Sequence, residues 1–185
     1  VQTRLGTAAP EPRLAVAILK LDFMNMFNST SREKIRDELT AHFPDLLYIF
    51  DLLYPLGGNC VRFHRPDGSW DEFRQEEGES QGCPLSSFFP CLLLHRLLAS
   101  LYPALADRAR RRNIPDQPSY TMAFVDDTHA VSALSDVAFI FKYLDFHGPT
   151  LGLLLNCDKC SILLSTTGPA FFHTLPHFIQ EELNW

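Results

Sequence analysis

The run TMAFVDDTHAVS, residues 121–132, limits the possible folds of this chain more than any other stretch. It sets two adjacent carboxylates, Asp126 and Asp127, between two segments with the apolar character of β-strands. Neighbouring side chains of a strand point to opposite faces, so a strand passing straight through the pair would turn only one carboxylate toward water. Burying the other without a partner would cost several kcal/mol. One solution is a hairpin with the two aspartates as its connection, since Asp is favoured at turns and AFV-DD-THAV has that spacing. The other is a turn that presents carboxylates to a divalent cation.

The remaining segments supply partners for this one. Residues 14–22, LAVAILKLD, form an apolar run of strand length that also ends in an acid, Asp22. Thr30 and Glu33 stand at capping-box spacing before Ile35, Leu39 and Phe43, which predicts an amphipathic helix stopped by Pro44. A second helix is expected over 45–54, ended by Pro55-Leu-Gly-Gly. NCVRFH and WDEFR flank Arg65-Pro-Asp-Gly-Ser, a strong hairpin signal because Pro-Asp-Gly presets the turn dihedrals. A loop, EEGESQGC, leads to a long apolar helix over about 84–101 with a kink at Pro90, and RARRR (108–112) closes the next helical piece. A helix over 135–147 and a strand over 160–165 follow. Strands that pair at long range alternate with local hairpins, which predicts an α+β fold: an antiparallel sheet with helices on one face.

With 185 residues, 46% of them hydrophobic, the chain can bury a core. A net charge of −6 argues against holding nucleic acid through an overall field, so such a partner must be held locally. Cysteines at 60, 83, 91, 157 and 160, with no basic-apolar leader at Val1, read as reduced thiols of an intracellular protein. Pro90, His95, Arg96 and Pro103 interrupt the longest apolar stretch, so no membrane partner is expected.

Four segments occur in order: Asp22-Phe-Met-Asn-Met-Phe27-Asn28, Gly78-Glu-Ser-Gln81-Gly82-Cys-Pro84-Leu-Ser86, Phe124-Val125-Asp126-Asp127 and Leu151-Gly152-Leu-Leu-Leu-Asn156-Cys-Asp-Lys159. Together they resemble the palm motifs A, B, C and D of reverse transcriptases, most like those of non-LTR retrotransposons. The resemblance implies a polymerase palm over 14–165, with a linker-like segment at 1–13, a tail or start of a thumb connection at 166–185, and fingers and thumb largely absent. It implies RNA-directed DNA synthesis by two-metal nucleotidyl transfer, in which Mg²⁺ ions (or Mn²⁺) about 3.5–4 Å apart act on the primer hydroxyl and the leaving pyrophosphate. Asp22, Asp126 and Asp127 would be the metal ligands, since Mg²⁺ takes hard oxygen donors. Phe27 matches the aromatic gate that excludes a 2′-hydroxyl, Gln81 and Gly82 the pair beside the incoming nucleotide, and Lys159 a cation near the triphosphate that can donate a proton. The implied partners are an RNA template, a DNA primer, deoxynucleoside triphosphates and the fingers, thumb and nuclease domains of a longer polyprotein; the implied location is the nucleus. One departure is Glu79, after Glu76 and Glu77, expected to add negative charge where a template phosphate would pass.

Other readings compete. Gly78-Glu-Ser80-Gln-Gly82 is literally G-x-S-x-G, the nucleophile elbow of α/β-hydrolases, which requires a buried parallel strand directly before it. Cys157, Cys160, His173 and His177 have classical zinc-finger spacing, although Gly168-Pro169 falls where the finger helix should begin and Pro176 separates the histidines. Arg108, Arg110, Arg111 and Arg112 suit phosphate contacts or a solvated helix end equally well. A third possibility keeps the fold without activity, as an inactive element remnant acting as a binding module.

Overall fold

A computed structural model describes residues 16–80, 82–111, 120–125 and 127–164. The expected tail and linker-like segments at 166–185 and 1–13 lie outside them. Eight strands and five α-helices follow in the order β1 (Val16–Leu21), β2 (Phe23–Met24), α1 (Met26–Ser29), α2 (Arg32–His42), α3 (Pro44–Leu53), β3 (Asn59–His64), β4 (Trp70–Gln75), α4 (Phe88–Arg111), β5 (Tyr120–Phe124), β6 (Asp127–Ala133), α5 (Val137–His147), β7 (Leu154–Leu155) and β8 (Ser161–Leu164).

The central sheet has the order β5-β6-β1-β8 and is antiparallel throughout. Its two faces follow from alternation along β1. Ala17, Leu19 and Leu21 are buried, whereas Ile18 and Lys20 are exposed. Onto the buried face pack Leu93, Leu97 and Leu101 of α4, Val137, Ile140 and Leu144 of α5, Ile35 and Leu39 of α2 and Phe50 of α3. No described residue packs over the opposite face, which carries the exposed Lys20, Met122 and Leu163. The fold is therefore the expected α+β arrangement, with antiparallel strands.

Several local expectations shift. Ser31, not Thr30, caps α2: its hydroxyl accepts the Lys34 N–H at 3.3 Å, and Thr30 is buried with another partner. Asp127 is not part of the hairpin connection, because Phe124 pairs with it and so places it in β6. α4 is one helix of 24 residues, not two pieces. Pro90 falls in its first turn, where the N–H has no helical partner to lose. Pro103 sits inside it, one turn beyond Ser100, whose carbonyl accepts the Tyr143 hydroxyl of α5 at 3.0 Å. Length and composition alone would allow α4 to cross a membrane, but its apolar stripe faces the core described above.

Among the described residues β3 and β4 pair only with each other, in the register expected from the Pro-Asp-Gly turn. Asp67 organises that turn by accepting the Ser69 N–H and hydroxyl, which hold its carboxyl below the usual range.

Candidate functional site

The site is built around the turn that follows β1. Asp22 leaves the strand half-buried, and its backbone is gripped on both sides by residues from the far end of the chain. Its N–H donates to Cys160 Sγ at 3.4 Å, and its carbonyl accepts the Asn156 N–H at 2.9 Å. β2 then pairs with β7, so the 151–160 segment runs alongside residues 22–24. Asn25 turns the chain in the left-handed region, at φ 46°, into the single turn of α1.

Two glycines allow other loops to press against that turn. A Cβ on Gly152 would lie 1.9 Å from the Ser29 carbonyl oxygen, and one on Gly78 would lie 2.3 Å from the Asn28 carbonyl carbon. Both have positive φ, 76° and 63°, so glycine is required for conformation as well as space. Hydrogen bonds then join the segments. Ser31 N–H donates to Leu151 O at 3.0 Å, the Ser29 hydroxyl to Gly152 O at 2.8 Å, Gly78 N–H to Thr30 O at 2.9 Å and Glu79 N–H to Phe27 O at 2.7 Å. Residues 27–31 are thus clasped by two loops, one on each side.

The acids lie on the open side of this assembly. Leu21 pairs with Thr128 at the end of the β1–β6 ladder, so Asp22, which follows Leu21, and Asp127, which precedes Thr128, come to the same end of the sheet. Alternation along β6 puts Asp127 on the face that carries Lys20. Asp127 is exposed, 3.9 Å from Lys20 Nζ. An ion pair so exposed contributes less than about 1 kcal/mol, so Lys20 only partly offsets the repulsion between two carboxylates across a strand pair. The hairpin tip carries strain: Val125 has φ 59°, a region that β-branched residues rarely enter.

Among the described residues no three His, Cys, Asp or Glu side chains converge as a metal-ligand group. Asp126 and Gln81, both expected in the site, lie outside the described residues. Phe27 is half-buried at the clasped turn, Gly82 is exposed with open space where a Cβ would stand, and Lys159 is exposed in the 3₁₀ turn 157–159.

Glu79 is not where its sequence neighbourhood suggested. It is 1% exposed, and both its carboxyl oxygens accept the Thr30 hydroxyl, at 2.9 and 3.2 Å, so it adds no charge to a template path. The hydrolase elbow fails as well, because the strand before Ser80 is β4 of an isolated antiparallel hairpin that ends at Gln75. Of the zinc-finger set, Cys160 supports Asp22 and Cys157 is exposed, while His173 and His177 lie outside the described residues. Arg108 is taken up structurally, 3.1 Å from Asp136 and stacked over Phe139; Arg110 pairs with Asp107, Arg111 is exposed, and Arg112 lies outside the described residues.

No protein-family model and no curated protein sequence matches the chain. Solved structures do. A Candida tropicalis telomerase in complex with a TWJ fragment of telomeric RNA aligns with a TM-score of 0.65 at 12% identity, over 83% of this chain and 26% of that one. A Candida albicans telomerase with such a fragment gives 0.65 at 16% identity, over 83% and 28%, and an apo Candida tropicalis telomerase lacking its C-terminal domain gives 0.65 at 13%, over 84% and 32%. The fold is reverse-transcriptase-like. At these identities the likeness concerns the fold alone, and this chain spans about a quarter to a third of the telomerase chains. Within that fold, the turn after β1 is supported by Thr30, Glu79 and Cys160, which sequence reasoning did not single out as supports. A chemical signal existed only for Glu79, an acid directly after a glycine in the loop that leads to α4.

Proposed function

We propose that this chain forms the catalytic palm of an RNA-directed DNA polymerase of the non-LTR retrotransposon type, acting with an RNA template, a DNA primer and deoxynucleoside triphosphates. The observation that carries the reading is the convergence of two distant segments, 78–79 and 151–160, on residues 22–31, with Asp22 and Asp127 at the same end of the sheet. Those two residues supply carboxylate oxygens, the hard donors that Mg²⁺ or Mn²⁺ prefers, and they would hold such ions together with Asp126. When bound, the cations supply charge to activate a primer hydroxyl and neutralise a leaving pyrophosphate.

The chain's own residues do the positioning. Asn156 and Cys160 fix the backbone of Asp22, and with it the direction of the carboxylate. The bond from Glu79 N–H to Phe27 O fixes the aromatic residue relative to the loop that carries Gln81 and Gly82. Phe27 would stand against the sugar and reject a 2′-hydroxyl. Lys159, exposed and anchored through its N–H to Asn156 O, would face the triphosphate. Primer extension by the 185-residue chain on an RNA template, with deoxynucleotides and Mg²⁺, tests the reading. Extension that vanishes in Asp22→Ala is expected; extension that survives it would overturn the assignment.

A further inference from the structure

Glu79 belongs to the loop between β4 and α4, yet its side chain is 1% exposed. The Thr30 hydroxyl is its side-chain partner. Arg32 of α2, the cation whose charge acts on it, forms no ion pair with it among the described residues. Arg32 Nε and Nη1 donate instead to the carbonyls of Gly78 and Gln75, each at 2.7 Å, and Nη2 is buried with no partner among the described residues. Directly after α3, the Tyr54 ring lies under the Arg32 guanidinium at 4.7 Å, and Cys83 of the loop itself lies beside the Tyr54 phenol. A carboxylate buried with one hydroxyl is poorly compensated, whereas a neutral carboxyl there is satisfied. Consistently, burial pushes the Glu79 carboxyl up to about 8, against weaker opposing pulls from Thr30 and Arg32.

We propose that Glu79 is a positioning residue, a neutral carboxyl latch that fastens the 78–83 loop to the 27–31 turn and releases it on ionisation, as Arg32 is drawn from the Gly78 and Gln75 carbonyls toward the new charge. Nη2 supplies the means, because it is buried without a partner among the described residues and belongs to the cation whose charge already acts on Glu79. The functional consequence rests on the polymerase reading: the latch sets the separation between Phe27 and the loop that bears Gln81 and Gly82.

Amide hydrogen exchange of the whole chain tests the latch, read as protection factors of the Gly78 and Glu79 amides, whose acceptors are Thr30 O and Phe27 O. Protection in the wild type should fall about tenfold or more between about pH 6 and about pH 9.5. Glu79→Gln, which keeps shape and hydrogen bonding without titrating, should hold protection level across that range, and Thr30→Val should lower it even at the acid end. Wild-type protection that is flat, or that falls equally in Glu79→Gln, overturns the proposal. Primer extension separates it from the reading above. A titrating latch in a chain that extends no primer leaves the latch standing and removes the polymerase, whereas extension with flat protection does the reverse.

Discussion

Gly152 and Ser29 touch so closely that a single added carbon on the glycine would stand 1.9 Å from the serine carbonyl oxygen. The obstacle is backbone, not a flexible side-chain end, so the loop would have to withdraw and surrender the bonds from Ser31 N–H and the Ser29 hydroxyl. Gly152→Ala should therefore cost about 3 kcal/mol or more. Gly82→Ala, at φ 92° but with open space around it, should cost only about 1–2 kcal/mol. Urea denaturation of both variants checks the difference, and equal losses would mean that conformation alone, and not the clasp, governs these glycines.

Val125 occupies the left-handed region at the hairpin tip at a cost of roughly 1–3 kcal/mol. Glycine releases that strain but adds unfolded-state entropy of about 0.5–1 kcal/mol. Val125→Gly should leave the protein about 1 kcal/mol more stable, measured by the urea midpoint at unchanged slope. A clear loss would show that the valine side chain contributes packing greater than the strain.

Glu79 sets the direction of the pH dependence. Its folded-state value, about 8, lies above the usual carboxylate value of 4.5, so the folded chain holds a proton that the unfolded chain releases. Stability from this group is fully present below about pH 4.5, declines as pH rises through the interval and is lost above about pH 8. Each pH unit inside the interval is worth about 1.4 kcal/mol at most, and Glu79→Gln should flatten the profile. Thermal melts from mildly acid to mildly alkaline buffer give the comparison; coincident curves would place the wild-type carboxyl in its ordinary range.

Asp127 offers the opposite case. Its carboxylate is exposed and its contact with Lys20 is long, so Asp127→Asn should change stability by less than about 0.5 kcal/mol, with any gain reflecting relief of repulsion from Asp22. The same variant should weaken Mn²⁺ binding, followed by water-proton relaxation. Unchanged binding would exclude Asp127 as a ligand.

Phe27 separates gate from core. Phe27→Ala should raise ribonucleotide incorporation chiefly through kcat/KM for ribonucleotides while altering deoxynucleotide kinetics less, because a steric barrier acts on the rejected substrate. If deoxynucleotide incorporation collapses together with the melting temperature, the ring belongs to the packing and not to selection.

What was legible in the sequence divides along physical lines. β3 was readable to the residue and β4 to within one residue because Pro-Asp-Gly acts locally, through dihedral preference. The helix α4 was read as two pieces because proline rules are local as well, whereas leucines packed along one stripe hold the helix through Pro103. Thr30 and Glu79 misled in the same way. Each has a good solvent-facing explanation, a cap and an acidic loop, and only tertiary contact between segments 49 positions apart shows them buried together. Asp22 was placed at a strand end and Asp127 in a turn from hydrophobic patterning and turn preference, but the register that brings both to the same end of the sheet rests on the pairing of the whole strand.

The central place of β1 governs how the chain reaches this state. β1 begins at Val16, yet one neighbour, β6, starts at Asp127 and the other, β8, starts at Ser161. No local partner can shelter it, so more than a hundred residues must leave the ribosome before either flank is filled. High contact order makes that closure slow, and an apolar strand with two open edges waits through the interval as a template for other chains. Premature termination before β8 would leave one of those edges permanently bare, and the resulting product should be lost to aggregation and proteolysis.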